Sequence, residues 1–443
     1  MRRQEEGPYP YIVKALDEYF GVNSFVNNKK EIVKLKQKSK NIRQRKIKSR
    51  KSKEKKLSIL IATFWDYPHV GGLSNYIKTL SDGLKRLGHD VDIISPNQFS
   101  MNQVEMIRGE IVPALKRFFN TRYGNVSNMI LKNNRNMYVY EKMLLENTNL
   151  KKYDIFHVQD LFTANILGKI NERYGKPIVF TPHGMYTFNR LKFGIIEKGS
   201  VEEVYYKELE KKAIEYSHQL IILSDSFRKP LSQMGALKEN IEKVLTGIDY
   251  PTVSRQKDNE KLVISCVSRL GPRKGHDILF NALSYIGNEY TDKLKVLIVG
   301  DGEMREERER QAVDLGLSMV EFLGKRDDIP NILAKTDVFV LPTINDSLPI
   351  SIIEAMHYGI CVISTKSGGI PELVANEKDG ILVDVGDTNQ LANAIKRVID
   401  NKEEREMLGR NAKEFAKTNL TQESMAMKVE EVYKNICGRG KIT

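Results

Sequence analysis

Four short segments of this chain place cations, carboxylates and glycines at spacings suited to an anionic, hydroxyl-bearing ligand. In SRLGPRKG (268–275), Arg269 and Lys274 are five residues apart around a Gly-Pro turn, so a guanidinium and an ammonium can reach one anion, for which a pyrophosphate is the natural guest. VGDGE (299–303) carries Gly300 and Gly302, which either let backbone amides approach a ligand or make a tight strand-to-helix turn. PTINDSLPISIIEAMHYG (342–359) puts Asp346 in a loop and Glu354 eight residues later, inside the first turns of a helix. Such a helix start offers unpaired amides and a favourable dipole to a phosphate, while carboxylates reach sugar or ribose hydroxyls. SGGIPE (367–372) adds a second backbone-exposed loop at Gly368 and Gly369.

These segments need strands to hold them. LSILIATFW (57–65) is a β-rich apolar run; after a loop with Gly71 and Gly72 the pattern turns helical through Leu73, Ile77, Leu80 and Leu84. Strand-like runs recur at 91–94, 155–158, 177–180 and 219–223, with helical patterns between them, which argues for a parallel sheet covered on both faces. Residues 99–150 break the rhythm with Phe99, Phe118, Phe119, Tyr123, Tyr138 and Tyr140 among Asn and Met, an insertion expected to shape a specificity pocket. TGIDYPTVSRQKDNE (246–260) turns polar and irregular, so the domain boundary is placed there. A second strand series follows at 262–267, 295–299, 320–323, 338–341, 361–364 and 381–383, before a charged amphipathic stretch from about Gln390 to Ile436. The expected organisation is an arm over 1–56, a first Rossmann-like domain over 57–248, a linker over 249–260, a second such domain over 261–420, and a C-terminal helix over 421–443 that crosses back to the first domain.

The net charge of +13 over 443 residues is confined to residues 29–56, which hold 15 Lys/Arg and 2 Asp/Glu; the remainder balances at 55 of each sign. That segment has too little apolar surface to offset its ordering entropy and reads as a solvated, disordered arm. Its targets include an anionic membrane surface, at roughly 1 kcal/mol per basic residue, and a solubilising leader is the plain alternative. The balanced remainder argues against nucleic acid as a partner. Cys266, Cys361 and Cys437 show neither disulfide nor metal-ligand spacing. With no membrane-length apolar run and no secretory leader, the expected location is cytoplasmic, peripheral on the inner face of the cell membrane. The one Asp-x-Asp, Asp90-Val91-Asp92, opens a strand rather than closing one, so no metal is expected, and no cofactor.

From Leu57 to about Ile436 the chain resembles glycosyltransferase family 4, retaining enzymes of GT-B architecture. The resemblance rests on six ordered matches: the Gly71-Gly72 loop, TPHG (181–184), the Arg269/Lys274 pair, VGDGE, the acidic-x7-Glu motif leading into EAMHYG, and SGGIPE. It implies two Rossmann-like doubly wound α/β domains facing each other across a cleft, and transfer of a sugar from a nucleotide-sugar donor to a glycan or lipid-linked acceptor in cell-envelope polysaccharide synthesis. Arg269 and Lys274 would bind the donor diphosphate, Glu354 the ribose hydroxyls, and Asp346 with its loop the transferred sugar. Gly71 and Gly72 would approach the diphosphate, Gly300 would line the donor site, and His183 would sit near the anomeric carbon. Lys325 and Arg326 would mark the base contacts. Two departures stand out: Asp346 where the family most often has Glu, and Thr246 where it has Asn. Asp is one methylene shorter, so the sugar contact is either re-aimed or carried by the backbone at Ser347, Leu348, Pro349 and Ile350. Asp346 is also the feature that favours the alternative reading, a catalytically silent binding subunit tethered by its basic arm.

Overall fold

The computed structural model describes residues 11–22, 56–69, 71–124, 126–251, 253–254 and 261–439. Helix α1 (Val13–Phe20) precedes an alternating series: β1 (Ser58–Ala62), α2 (Gly72–Arg86), β2 (Asp90–Ile94), then two long helices, α3 (Met101–Tyr123) and α4 (Asn128–Asn147). The series continues with β3 (Ile155–Val158), α5 (Leu161–Asn171), β4 (Ile178–Phe180), α6 (Tyr186–Lys192), α7 (Val201–Tyr216), β5 (Gln219–Ile222) and β6 (Ile241–Lys243). A second series contains β7 (Leu262–Val267), α8 (His276–Tyr285), β8 (Leu294–Val299), α9 (Arg305–Asp314), β9 (Val320–Gly324), β10 (Val338–Leu341), α10 (Ile350–Tyr358), β11 (Cys361–Thr365) and β12 (Ile381–Val383). Helices α11 (Thr388–Asp400), α12 (Lys402–Asn419) and α13 (Gln422–Arg439) close it.

The chain divides into two compact units. One runs as far as Tyr67 and takes in Gly88–Phe180 and Gly184–His218; the other holds Pro68–Leu87, Thr181–His183 and the chain from Gln219 onward. In the first unit the strands lie in the order β2-β1-β3-β4, all parallel, with Ile59 opposite both Val91 and Ile155. Ile59 to Ala62 and the whole of β3 are buried, which is why both read as unbroken apolar runs. The aromatic insertion is the α3–α4 pair, and α3 buries Val104, Ile107, Ile111, Leu115 and Phe119 at helical spacing.

The expectation of a disordered arm over 1–56 needs correction for its described part. Residues 13–20 form a helix with Leu16 fully buried, held by Asp17, which accepts from Arg122 Nε and Nη2 at 2.6 and 2.7 Å and from the Tyr123 hydroxyl at 2.8 Å. Burial alone would raise the Asp17 carboxyl; those donors outweigh it and hold it below its ordinary value. The sequence reading missed this because the helix carries only two turns of pattern and the basic block after it dominated the composition. The basic segment itself lies outside the described residues, except for Lys56.

In the second unit β5 pairs with β6, and a six-stranded parallel sheet has the order β12-β11-β10-β7-β8-β9. This grouping differs from a boundary at 249–260. Lys243 of β6 holds Glu372 at 2.8 Å, and Gln422 of α13 donates to the Thr79 carbonyl of α2 at 2.9 Å. Gly83 of α2 lies so close to α13 that a Cβ there would be 2.7 Å from the Ala426 Cβ. Side-chain links across some 340 residues of sequence are invisible to a composition break. In the six-stranded sheet the chain runs outward one way through β7, β8 and β9 and the other way through β10, β11 and β12. The topological switch therefore falls between β7 and β10, where open α/β sheets form a ligand crevice.

Candidate functional site

The loops at the carboxyl ends of β11, β10, β7 and β8 carry the residues singled out from sequence, and they are sewn together by their backbones. After β7, Gly275 has φ +71°, and a Cβ there would meet the Pro342 carbonyl oxygen at 2.0 Å; Ile344 N–H and the Thr343 hydroxyl both donate to Arg273 O at 2.8 Å. After β11, Gly368 at φ +55° and Gly369 pack on the Asp346 and Ser347 carbonyls so closely that no side chain fits. Only glycine permits these approaches.

At the switch point the Lys274 ammonium and the Asp346 carboxylate form an ion pair, both about four-fifths buried. Sequence reasoning gave these residues separate ligand contacts; the structure brings them onto each other. Arg269 points instead at Glu303, 2.8 Å away and exposed. Of the two roles left open for Gly300, its backbone takes the turn: its N–H donates to Gly324 O at 2.8 Å. Its role is the tight turn, since at φ +135° a Cβ would lie 2.0 Å from Ser268 O. Lys325 is exposed after β9, and the Arg326 guanidinium is clamped on Asp328 by two 2.7 Å bonds.

Helix α10 starts at Ile350 with Pro349 as its N-cap, no capping side chain and no acid in its first turn. The first-turn amides and the helix dipole thus favour an anion there. Pro349 has no N–H, so the expected backbone contacts of this loop reduce to Ser347, Leu348 and Ile350. In the next turn burial pushes the Glu354 carboxyl up to about 7. Tyr250 and Tyr358, whose rings meet edge to face at 5.4 Å, sense that carboxylate electrostatically. Tyr250 was missed because it sits in the polar stretch read as a linker; a tyrosine between Asp249 and Pro251 was the available signal.

Three further residues reach this site within the same unit. Gly71, at φ +153°, caps α2, and a Cβ on Gly72 would stand 3.7 Å from Ile350 Cδ1. The His183 carbonyl accepts from the Ser347 hydroxyl at 3.4 Å, and its ring meets Tyr76 edge-on at 4.7 Å. Burial lowers the His183 imidazole to about 4, so it is neutral at pH 7. Asp90 and Asp92 lie elsewhere, in the first unit: Asp90 pairs with Lys56 at 2.8 Å, and Asp92 with Lys152 at 2.7 Å and the Tyr153 hydroxyl at 2.8 Å.

Comparison with known proteins identifies relatives of the chain as a whole. Residues 70–250 match the model described as Glycosyltransferase Family 4, and residues 252–415 the model described as Glycosyl transferases group 1. An Escherichia coli UDP-Gal:alpha-D-GlcNAc-diphosphoundecaprenol alpha-1,3-galactosyltransferase is 31% identical over 73% of this chain and 86% of its own. A Campylobacter jejuni GalNAc-alpha-(1->4)-GalNAc-alpha-(1->3)-diNAcBac-PP-undecaprenol alpha-1,4-N-acetyl-D-galactosaminyltransferase is 26% identical over 82% of this chain and 94% of its own. Among solved structures, Anabaena HepE in complex with UDP and glucose superposes with a TM-score of 0.62 at 19% identity, over 86% of this chain and all of that one.

Proposed function

This chain belongs to the group 1 glycosyltransferases of family 4, with their two parallel-sheet α/β domains, and we propose that it moves a sugar from a nucleotide-diphosphate donor, with retention, to a hydroxyl of a glycan or lipid-linked acceptor. The observation that carries the donor site is the Lys274–Asp346 pair at the switch point between β7 and β10, beside the uncapped start of α10. A donor diphosphate would take over Lys274 and the first-turn amides, with Arg269 turning from Glu303, and the ribose hydroxyls would donate to Glu354. As the sugar–phosphate bond breaks, those cations and amides stabilise the charge gathering on the departing diphosphate.

A front-face route is part of the proposal, with Asp346, released when the diphosphate takes Lys274, contacting the transferred sugar. The neutral His183 imidazole can hydrogen-bond a sugar hydroxyl without placing a second positive charge at the oxocarbenium-like centre. Transfer without a metal is part of the proposal, because the only Asp-x-Asp has both carboxylates in lysine pairs. The relatives' acceptors support a place in envelope glycan assembly, at an anionic membrane surface reached through residues 29–56. No described helix is long and apolar enough to cross a membrane.

The test is calorimetric binding of a nucleotide-diphosphate panel to wild type, Lys274→Ala and Glu354→Ala. One base bound selectively, and lost in both variants, is expected; no binding from a broad panel would overturn the donor site. Turnover is expected to persist in excess EDTA, and the anomeric proton coupling of the product to match that of the donor.

A further inference from the structure

The first unit contains a cavity of about 640 Å³ that the donor reading does not use, within the range of about 300–1,000 Å³ typical of small-ligand pockets. Its walls come from the loops after β1 and β2, from α3 and α4, and from α6, so it lies at the carboxyl edge of that unit's sheet, where ligands of such folds bind. Two kinds of lining coexist. Met101, Met129, Met143, Val104, Val139 and Ile195 form an apolar wall, and the methionines suit a flexible chain better than a rigid ring. Against them stand three cations from three elements.

Lys132 has no ion pair among the described residues. Arg190 stacks its guanidinium on the Tyr186 ring, 3.4 Å from the centroid, which leaves its N–H edges open. The carboxylate whose field reaches it, Glu210, already accepts the Tyr186 amide at 2.7 Å. Arg108 pairs with Glu105 at 2.5 Å through one terminal nitrogen, while its Nε is buried without a hydrogen-bond partner among the described residues. Asp66 is the one acid in the lining. The lining also holds three amides, but Asn97 accepts from the Tyr67 amide at 3.0 Å, Asn133 donates to the Tyr206 hydroxyl at 2.5 Å and Asn136 accepts from Arg135 Nε at 3.1 Å, so it is the cationic excess over an apolar wall that favours an anion-headed chain over bare saccharide.

We propose that this cavity holds the lipid end of the acceptor: a diphosphate bound by Arg190, Lys132 and Arg108, continued by an isoprenoid-type apolar chain along the methionine wall. The inference rests on the glycosyltransferase reading and adds where, and by what chemistry, the acceptor is gripped.

Trp65 lines the cavity, is 44% exposed and is the single tryptophan of the chain, so its fluorescence reports on occupancy. Farnesyl diphosphate is the probe, with farnesol, inorganic diphosphate, free disaccharide and phosphatidylglycerol vesicles as comparators. Farnesyl diphosphate is expected to shift Trp65 emission saturably and to bind at least tenfold more tightly than farnesol or inorganic diphosphate. Arg190→Ala and, separately, the exposed Lys132→Glu should each weaken it at least fivefold. Lys274→Ala should leave it unchanged, which separates this pocket from the donor site. Equal affinity for farnesol, or binding indifferent to both substitutions, would overturn the proposal. So would a saturable shift of the same dependence from the disaccharide or the vesicles, which would assign the cavity to saccharide or to bilayer lipid. Nucleotide binding is measured on the same samples: its absence beside an intact farnesyl diphosphate response would sink the transferase reading alone.

Discussion

Lys274 and Asp346 neutralise one another, so a donor diphosphate must compete with a carboxylate for its ammonium. In the proposed mechanism Lys274 acts most strongly as the diphosphate departs, so Lys274→Ala is expected to lower kcat/KM by about 10²–10³. Asp346→Asn should split two effects: free nucleotide diphosphate binds more tightly because Lys274 is released, while transfer slows because the sugar loses its anchor. Weaker diphosphate binding in Asp346→Asn would show that the pair assists the donor rather than competing with it. If Glu354 holds the ribose as proposed, it sets the pH dependence of donor binding. With its carboxyl raised to about 7, the acceptor form needed for ribose hydroxyls empties below that pH, so donor affinity should drop about tenfold per unit there. For stability the sign is opposite. A raised acid binds its proton better folded than unfolded, so its contribution is present below the unfolded value near 4.5 and is lost as pH rises through 7. Glu354→Gln should therefore unfold at higher temperature than wild type at pH 8, match it at pH 4, and bind donor weakly at every pH.

Among the elements, the loop after β7 shows how glycine geometry builds the site. Gly275→Ala would force a Cβ to 2.0 Å from Pro342 O in a left-handed conformation, and is expected to cost about 2–4 kcal/mol and abolish nucleotide binding. Gly316, also left-handed at φ +66° but with open space around it, is the control: Gly316→Ala should cost only about 1 kcal/mol and leave binding intact, as chemical denaturation and calorimetry would report. Glycines and cations at strand ends were legible in the sequence because alternating strand and helix patterns fix where strand ends fall. Apart from β1, read three residues too far at its end, the buried strands of both sheets were read within a residue for the same reason, whereas the three-residue β6, with polar Glu242 in its middle, left no pattern to read. Pairings were not legible. That Lys274 meets Asp346, Arg269 meets Glu303 and α13 meets α2 depends on the order of strands in the sheet, which local periodicity does not encode.

For the whole molecule, the proposed membrane attachment and the proposed donor chemistry fall on different parts of the sequence. All of the net charge of +13 falls in residues 29–56, and α1, just ahead of that segment, is packed into the first unit through Asp17 and Leu16. Folded elements, α1 and β1, thus precede and follow the basic segment in the sequence, and removing residues 1–56 would strip away a packed helix along with the charge. Asp17→Ala shows that separately: it leaves Arg122 and the Tyr123 hydroxyl without their carboxylate and should destabilise the first unit by about 3–5 kcal/mol. The cleaner experiment keeps α1 and replaces the lysines and arginines of 29–56 with serine and glutamine. Flotation with vesicles containing anionic lipid is then expected to fall to the level seen with neutral vesicles, and wild-type flotation to fall steeply with added salt, since each released charge carries its own screening. Turnover of a soluble acceptor analogue should not change, because the folded remainder is electrically balanced and holds every residue assigned to the donor site. Loss of that turnover with vesicle binding intact would instead place the basic segment in the transfer reaction itself.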